Sequence, residues 1–134
     1  MPFNAINLSD KMIASLKRQH FYHPSEIQLR VIPKALKGEN LLIQSATGTG
    51  KTLSFVIPII ERIDLLNQNV QAIVVAPTRE LAQQIFDTFV EFTKDYSELK
   101  VRLFKSGTER DNSTKGLSVA PHIIVGTPGR LADI

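Results

Sequence analysis

Apolar residues in this sequence recur at two spacings. Short β-rich runs bounded by turn residues stand at Leu41-Leu42-Ile43-Gln44, Ala72-Ile73-Val74-Val75-Ala76, Val101-Arg102-Leu103-Phe104 and His122-Ile123-Ile124-Val125-Gly126, and these are expected to be strands. The first, second and fourth are apolar almost throughout, the pattern of strands buried on both faces of a parallel sheet. Between them the spacing becomes helical. Residues 9–19 place Met12, Ile13 and Leu16 on one face, residues 25–36 place Ile27, Val31, Ile32 and Leu36, and residues 79–92 place Leu81, Ile85, Phe89 and Phe92. Residues 51–66 are more apolar all round and contain Pro58, which predicts a helix packed deep in the domain. Strand and helix alternate with short links, so the expected fold is α/β, a mostly parallel sheet flanked by helices. Ligands of such sheets collect at the carboxyl ends of the strands.

Composition narrows the class of protein without changing that picture. A chain of 134 residues is one domain at most, and 43% hydrophobic with 22% charged residues is the balance of a globular chain rather than a disordered one. The absence of cysteine excludes disulfides and thiolate metal sites, and three histidines without paired spacing offer no zinc set. A cytoplasmic location is expected. The start Met-Pro-Phe-Asn-Ala-Ile-Asn has neither the basic residues nor the apolar stretch of a signal peptide, and the longest apolar run, Phe55 to Ile60, is too short to cross a bilayer. No membrane partner is expected. A net charge of +3 suits a nucleic-acid partner, but the basic residues are scattered from Lys11 to Arg130. The charge fits a solvated surface equally well.

The sharpest chemical signal is the octapeptide Ser45-Ala46-Thr47-Gly48-Thr49-Gly50-Lys51-Thr52, which follows an apolar strand pattern and opens a helical one. That is the context required of the phosphate-binding pattern G-x-x-x-x-G-K-[ST], here with Ser45 in the first position. Gly48 and Gly50 let the backbone turn and bring its N–H groups to phosphate oxygens. Lys51 then reaches the β and γ phosphates, Thr52 offers a hydroxyl to Mg²⁺, and the helix adds its positive end. Lys51 and Thr52 are thus the candidate catalytic pair, with Thr52 the candidate metal ligand. Hydrolysis also needs a carboxylate delivered by a buried strand, and none of the four expected strands ends in Asp or Glu.

With these residues in view, the chain resembles the DEAD-box family of ATP-dependent RNA helicases from Phe3 onward. Phe21-Tyr22-His23-Pro24-Ser25-Glu26-Ile27-Gln28 is similar to that family's Q motif, with Phe3 as its upstream aromatic. The resemblance implies that Phe21 stacks on adenine and Gln28 hydrogen-bonds its edge. Residues 45–52 are similar to motif I, Pro77-Thr78-Arg79-Glu80-Leu81-Ala82 to motif Ia, and Thr127-Pro128-Gly129-Arg130 to motif Ib. It implies a partial RecA-like domain, ATP and Mg²⁺ as cofactors, and RNA bound through its backbone by Pro77, Thr78, Arg79, Gly107, Thr127, Gly129 and Arg130. Two departures are visible: His20 stands where the family usually has glycine, and Ser106-Gly107 where it has a glycine pair. Read from the residues alone, Ser25 to Gln28 is also a capping box, with Gln28 reaching back to the helix start. Thr127 before Pro128, and Thr78 before Arg79, are likewise good helix caps. Two such helix starts, each with an arginine, would bind phosphates without reading bases.

The sequence reaches Ile134 without an Asp-Glu-Ala-Asp stretch. The expectation is therefore an incomplete helicase ATP-binding domain over residues 1–134, truncated at its carboxyl end, with the Q-motif region at residues 3–28. Hydrolysis and duplex opening would need the remaining parts. The alternative is a non-enzymatic fragment of a split or degenerate helicase gene, with at most weak ATP or RNA binding.

Overall fold

The computed structural model describes residues 2–44, 50–104 and 120–132. The chain divides into two compact units, residues 1–63 and residues 64–134. The first is helical and the second carries a sheet.

The helical unit begins with a 3-10 turn at Phe3–Ala5 and continues through α1 (Asp10–Arg18), α2 (Glu26–Leu36) and α3 (Lys51–Arg62). Serine hydroxyls start the first two. Ser9 Oγ accepts from Met12 N–H at 3.1 Å, and Ser25 Oγ accepts from Gln28 N–H at 3.3 Å. Each cap satisfies an N–H with no partner in its own helix, typically worth about 1 kcal/mol. Met12 and Leu16 of α1 and Val31 and Ile32 of α2 are buried as the pattern requires, and α2 packs against α3. The last helix stops at Arg62 rather than running to Leu66. Beyond it Asp64 Oδ1 accepts from Leu66 N–H at 3.0 Å, a local turn that competes with helix continuation.

The expected strand at Leu41–Gln44 is not a strand: it has no ladder, and Leu42 is 96% exposed. An apolar run of four residues becomes a strand only where a neighbour supplies ladder bonds. None of the described strands does so.

The second unit consists of β1 (Ala72–Val75), α4 (Arg79–Thr93), β2 (Val101–Phe104), β3 (Ile123–Gly126) and α5 (Pro128–Ala132). The strands form a parallel sheet in the order β1-β3-β2, with Ile123 opposite both Ala72 and Val101 and Gly126 opposite both Val75 and Phe104. Being central, β3 is the buried strand. Edge strand β1 departs from the expected two-sided burial, because Ile73 is 61% exposed and Val75 is exposed with it. Side chains alternate along a strand, so these two share the uncovered face. Helix α4 lies against β2 and β3 and buries Ala82, Ile85, Phe89 and Phe92. Ala82 takes the place expected of Leu81, which is exposed, since 82, 85, 89 and 92 follow the 3-4-3 spacing of one helix face.

At the end of β3 the chains approach closely. Thr127 N–H donates to Phe104 O at 3.1 Å, Ala76 N–H donates to Gly126 O at 2.9 Å, and a Cβ on Gly126 would strike Phe104 O and lie 2.9 Å from Leu131 Cγ. A backbone carbonyl held in a ladder cannot yield as a side chain can. Gly126→Ala is therefore expected to lower stability by about 1–3 kcal/mol, read as a lower urea midpoint with unchanged slope.

Candidate functional site

Helix α3 begins at Gly50, with φ of +79°, and this glycine offers no side chain to cap the helix. The first bond of the helical ladder is donated by Ser54 N–H to Gly50 O at 3.1 Å. The N–H groups of Lys51, Thr52 and Leu53 lie ahead of it, and Gly50 offers none of them a side-chain cap. No acidic residue occupies this first turn, so the positive end of the helix is uncompensated there. Lys51 and Thr52 are both half-buried at that end. Residues Ser45, Ala46, Thr47, Gly48 and Thr49 of the octapeptide lie outside the described residues.

Gln28 ties the start of α2 to the start of α3. Its Nε2 donates to Gly50 O at 3.3 Å, while its Oε1 accepts from Ser25 N–H at 2.9 Å. The capping box read from the residues is thus present. The side chain is 4% exposed, with both ends of its amide engaged inside the protein. A Cβ on Gly50 would sit 2.6 Å from Gln28 Nε2 and 2.8 Å from Ser25 Oγ, so a side chain there would displace the Gln28 amide, and the φ of +79° strains any non-glycine residue as well.

Helix α1 has a related arrangement that the sequence did not disclose. Its cap Ser9 has Met12 three residues on, which cannot reach back as Gln28 does. Glu61 of α3 takes that part instead: Ser9 N–H donates to Glu61 Oε2 and Ser9 Oγ to Glu61 Oε1, both at 2.8 Å. The two partners are 52 positions apart, beyond the reach of any local pattern. At its other end α1 closes with His20 N–H donating to Lys17 O at 3.0 Å and Phe21 N–H to Leu16 O at 2.8 Å, the paired bonds of a Schellman motif. Phe21 leaves this closure 39% exposed, while Phe3 is buried.

In the sheet unit, Pro77, Thr78 and Arg79 are exposed at the start of α4, where Thr78 Oγ1 accepts from Leu81 N–H at 3.1 Å. The cap expected of Thr127 is absent: its Oγ1 is buried and has no hydrogen-bond partner among the described residues. Only the backbone of Thr127 joins the helix, through Leu131 N–H to Thr127 O at 3.0 Å. Gly129 is exposed, with open space around the position of a Cβ. Arg130 is 5% exposed and engaged within the protein. Ser106 and Gly107 lie outside the described residues. Among the described residues no cluster of side chains is arranged to hold a metal ion, and no helix is long and apolar enough to cross a membrane.

The family model for DEAD/DEAH box helicases matches residues 25–134. The chain belongs to this family. It is 40% identical over 134 residues to the DEAD-box ATP-dependent RNA helicase CshB of Bacillus subtilis, covering 98% of this chain and 31% of that protein. To the ATP-dependent RNA helicase CshA of Limosilactobacillus reuteri it is 41% identical, covering 99% of this chain and 27% of that one. Among solved structures it is similar to a DEAD box protein of Methanococcus jannaschii, with a TM-score of 0.89, 41% identity and coverage of 99% of this chain and 36% of the other. It is also similar to Saccharomyces cerevisiae Dbp5 bound to RNA and ADP BeF3, with a TM-score of 0.86, 31% identity and coverage of 98% and 33%. The chain thus spans about a third of the length of these relatives, and its fold is of their α/β, RecA-like class.

Within this DEAD/DEAH box chain the departure at His20 has a geometric meaning. His20 has φ of +69°, the left-handed region, and is the only non-glycine so placed among the described residues. Helix α2 closes in the same way but uses Gly38, at φ +83°. The His20 ring partly offsets the strain by a contact of 3.1 Å between its Nδ1 and Tyr22 Oη. His20→Gly is expected to raise stability by about 1 kcal/mol, measured as a higher melting temperature.

Proposed function

We propose that residues 1–134 belong to the ATP-binding domain of an ATP-dependent RNA helicase, with the adenine-recognising region at residues 3–28. In this reading the chain binds ATP with Mg²⁺ through residues 45–52 and RNA through the starts of α4 and α5. The observation that carries it is the start of α3: an uncapped helix end with Lys51 and Thr52 in its first turn and no acid beside them. This donor set fits a polyphosphate. Backbone N–H groups and the helix dipole favour the anion, Lys51 supplies a full charge, and Thr52 supplies one oxygen toward Mg²⁺.

Phe21, exposed beyond the closure of α1, offers an apolar ring for the base. Gln28 already spends its amide on Ser25 and Gly50, so reading the adenine edge means exchanging or sharing one of these bonds. When bound, Mg²⁺ would neutralise charge on the phosphates. Strands β1 to β3 carry no carboxylate, so no group for hydrolysis is assigned to them.

RNA recognition is proposed to be independent of sequence. Pro77, Thr78 and Arg79 stand exposed at the start of the 15-residue helix α4, where a phosphate meets N–H groups and a guanidinium. Thr127, Gly129, Arg130 and the more distant Gly107 complete the assignment. Gly129 leaves room for a close backbone approach, whereas Arg130 must swing out from its buried place to meet a phosphate with its side chain.

Titration of the chain with a fluorescent adenine nucleotide in the presence of Mg²⁺ tests this reading. Lys51→Ala is expected to weaken binding about tenfold or more, the scale of losing a charge-assisted contact. Equal affinity of the two proteins would remove the phosphate site.

A further inference from the structure

We infer that Glu61, together with Ser9, is a positioning residue for nucleotide recognition. It sets the placement of the adenine-contacting end of α1 against the phosphate-binding helix α3. The inference rests on the nucleotide site proposed above.

The capping of α1 is divided between two helices. Ser9 Oγ accepts from Met12 N–H as an N-cap should, while the return bond, normally made from the third helical residue, comes from Glu61 Oε2 at the carboxyl end of α3. The second carboxylate oxygen takes the Ser9 hydroxyl proton. Both oxygens of one side chain are thus spent on one residue, which gives an orientation a single bond would leave free. A carboxylate at the start of a helix is also favoured by the dipole, as is that of Asp10 in the first turn of α1.

The consequence follows along α1, nine residues long. Its far end is closed by the bonds of His20 and Phe21 to Lys17 and Leu16, so Phe21 inherits the direction of the helix. Helix α3 carries Lys51 and Thr52 at its start and Glu61 in its last turn. The Ser9–Glu61 pair therefore joins a helix that ends near the proposed base contact to a helix that begins at the proposed phosphate contact. Gln28 and Gly50 make the equivalent joint between α2 and α3. If the α1 joint loosens, phosphate binding by α3 should persist while the base contact loses its fixed geometry.

Three proteins test this: Ser9→Asp, Glu61→Gln, and Ser9→Asp combined with Glu61→Lys. Ser9→Asp keeps a capping acceptor for α1 but sets a carboxylate against Glu61, so it breaks the joint while sparing the helix. The double variant restores an attractive pair. Binding of a fluorescent adenine nucleotide is measured directly, and inorganic triphosphate is used as the competitor that reads phosphate binding alone. Both single variants should weaken the nucleotide about three- to tenfold with triphosphate affinity unchanged, and the double variant should recover most of the loss. Unchanged nucleotide binding by both single variants overturns the inference, as does equal weakening of nucleotide and triphosphate, which marks a purely structural role. If the unaltered chain binds neither nucleotide nor triphosphate, the nucleotide site itself fails and this inference falls with it.

Discussion

The carbonyl of Gly50 accepts two bonds, one from Ser54 N–H inside α3 and one from the Gln28 amide, and the helical unit is organised around that shared acceptor. It fixes where α3 starts. A helix end usually needs a side chain to occupy its leading N–H groups; here Gly50 supplies none to those of Lys51, Thr52 and Leu53. The bond from Gln28 holds the turn in place from a different helix, so the open end does not depend on its own cap for order. An anion arriving there meets donors already arranged, which lowers the ordering cost of binding.

The same economy of capping appears at the other end of α3. Glu61 completes the cap of α1 from outside that helix, as Gln28 completes the cap of α2 from within and then reaches on to Gly50. Each of the first two helices is thereby referenced to α3 by its first residues. In the sheet unit a different constraint governs: β3 is paired on both edges, and Gly126 at its end lets Phe104 O and Leu131 close in. The helix start at Pro128 follows immediately, so Thr127, Gly129 and Arg130, three of the residues proposed to meet RNA, stand directly after the most constrained strand end.

Much of this was legible in the sequence because the determinants are local. Ser25 and Thr78 start helices as their residue type predicts, and three of the four strand patterns are strands. Membership of the DEAD/DEAH box family was legible for the same reason, being carried by contiguous motifs. The errors arose where a neighbour decides. Leu41–Gln44 has strand chemistry but no ladder, β1 has one covered face rather than two, and Leu81 loses its place in the α4 stripe to Ala82. Thr127 has capping chemistry, but its buried hydroxyl makes no capping bond among the described residues. Glu61 carried no signal at all, since its partner is remote in sequence. His20 was visible as a departure from the family pattern, and its positive φ supplies the reason that glycine is the usual residue there.

The most direct test of the central claim is amide hydrogen exchange at Lys51, Thr52 and Leu53, with and without saturating ATP and Mg²⁺. If the start of α3 is an open anion site held in register by Gln28, these three amides exchange rapidly in the free chain and slow markedly when nucleotide is bound. Exchange at all three that stays unchanged while nucleotide is demonstrably bound would contradict it.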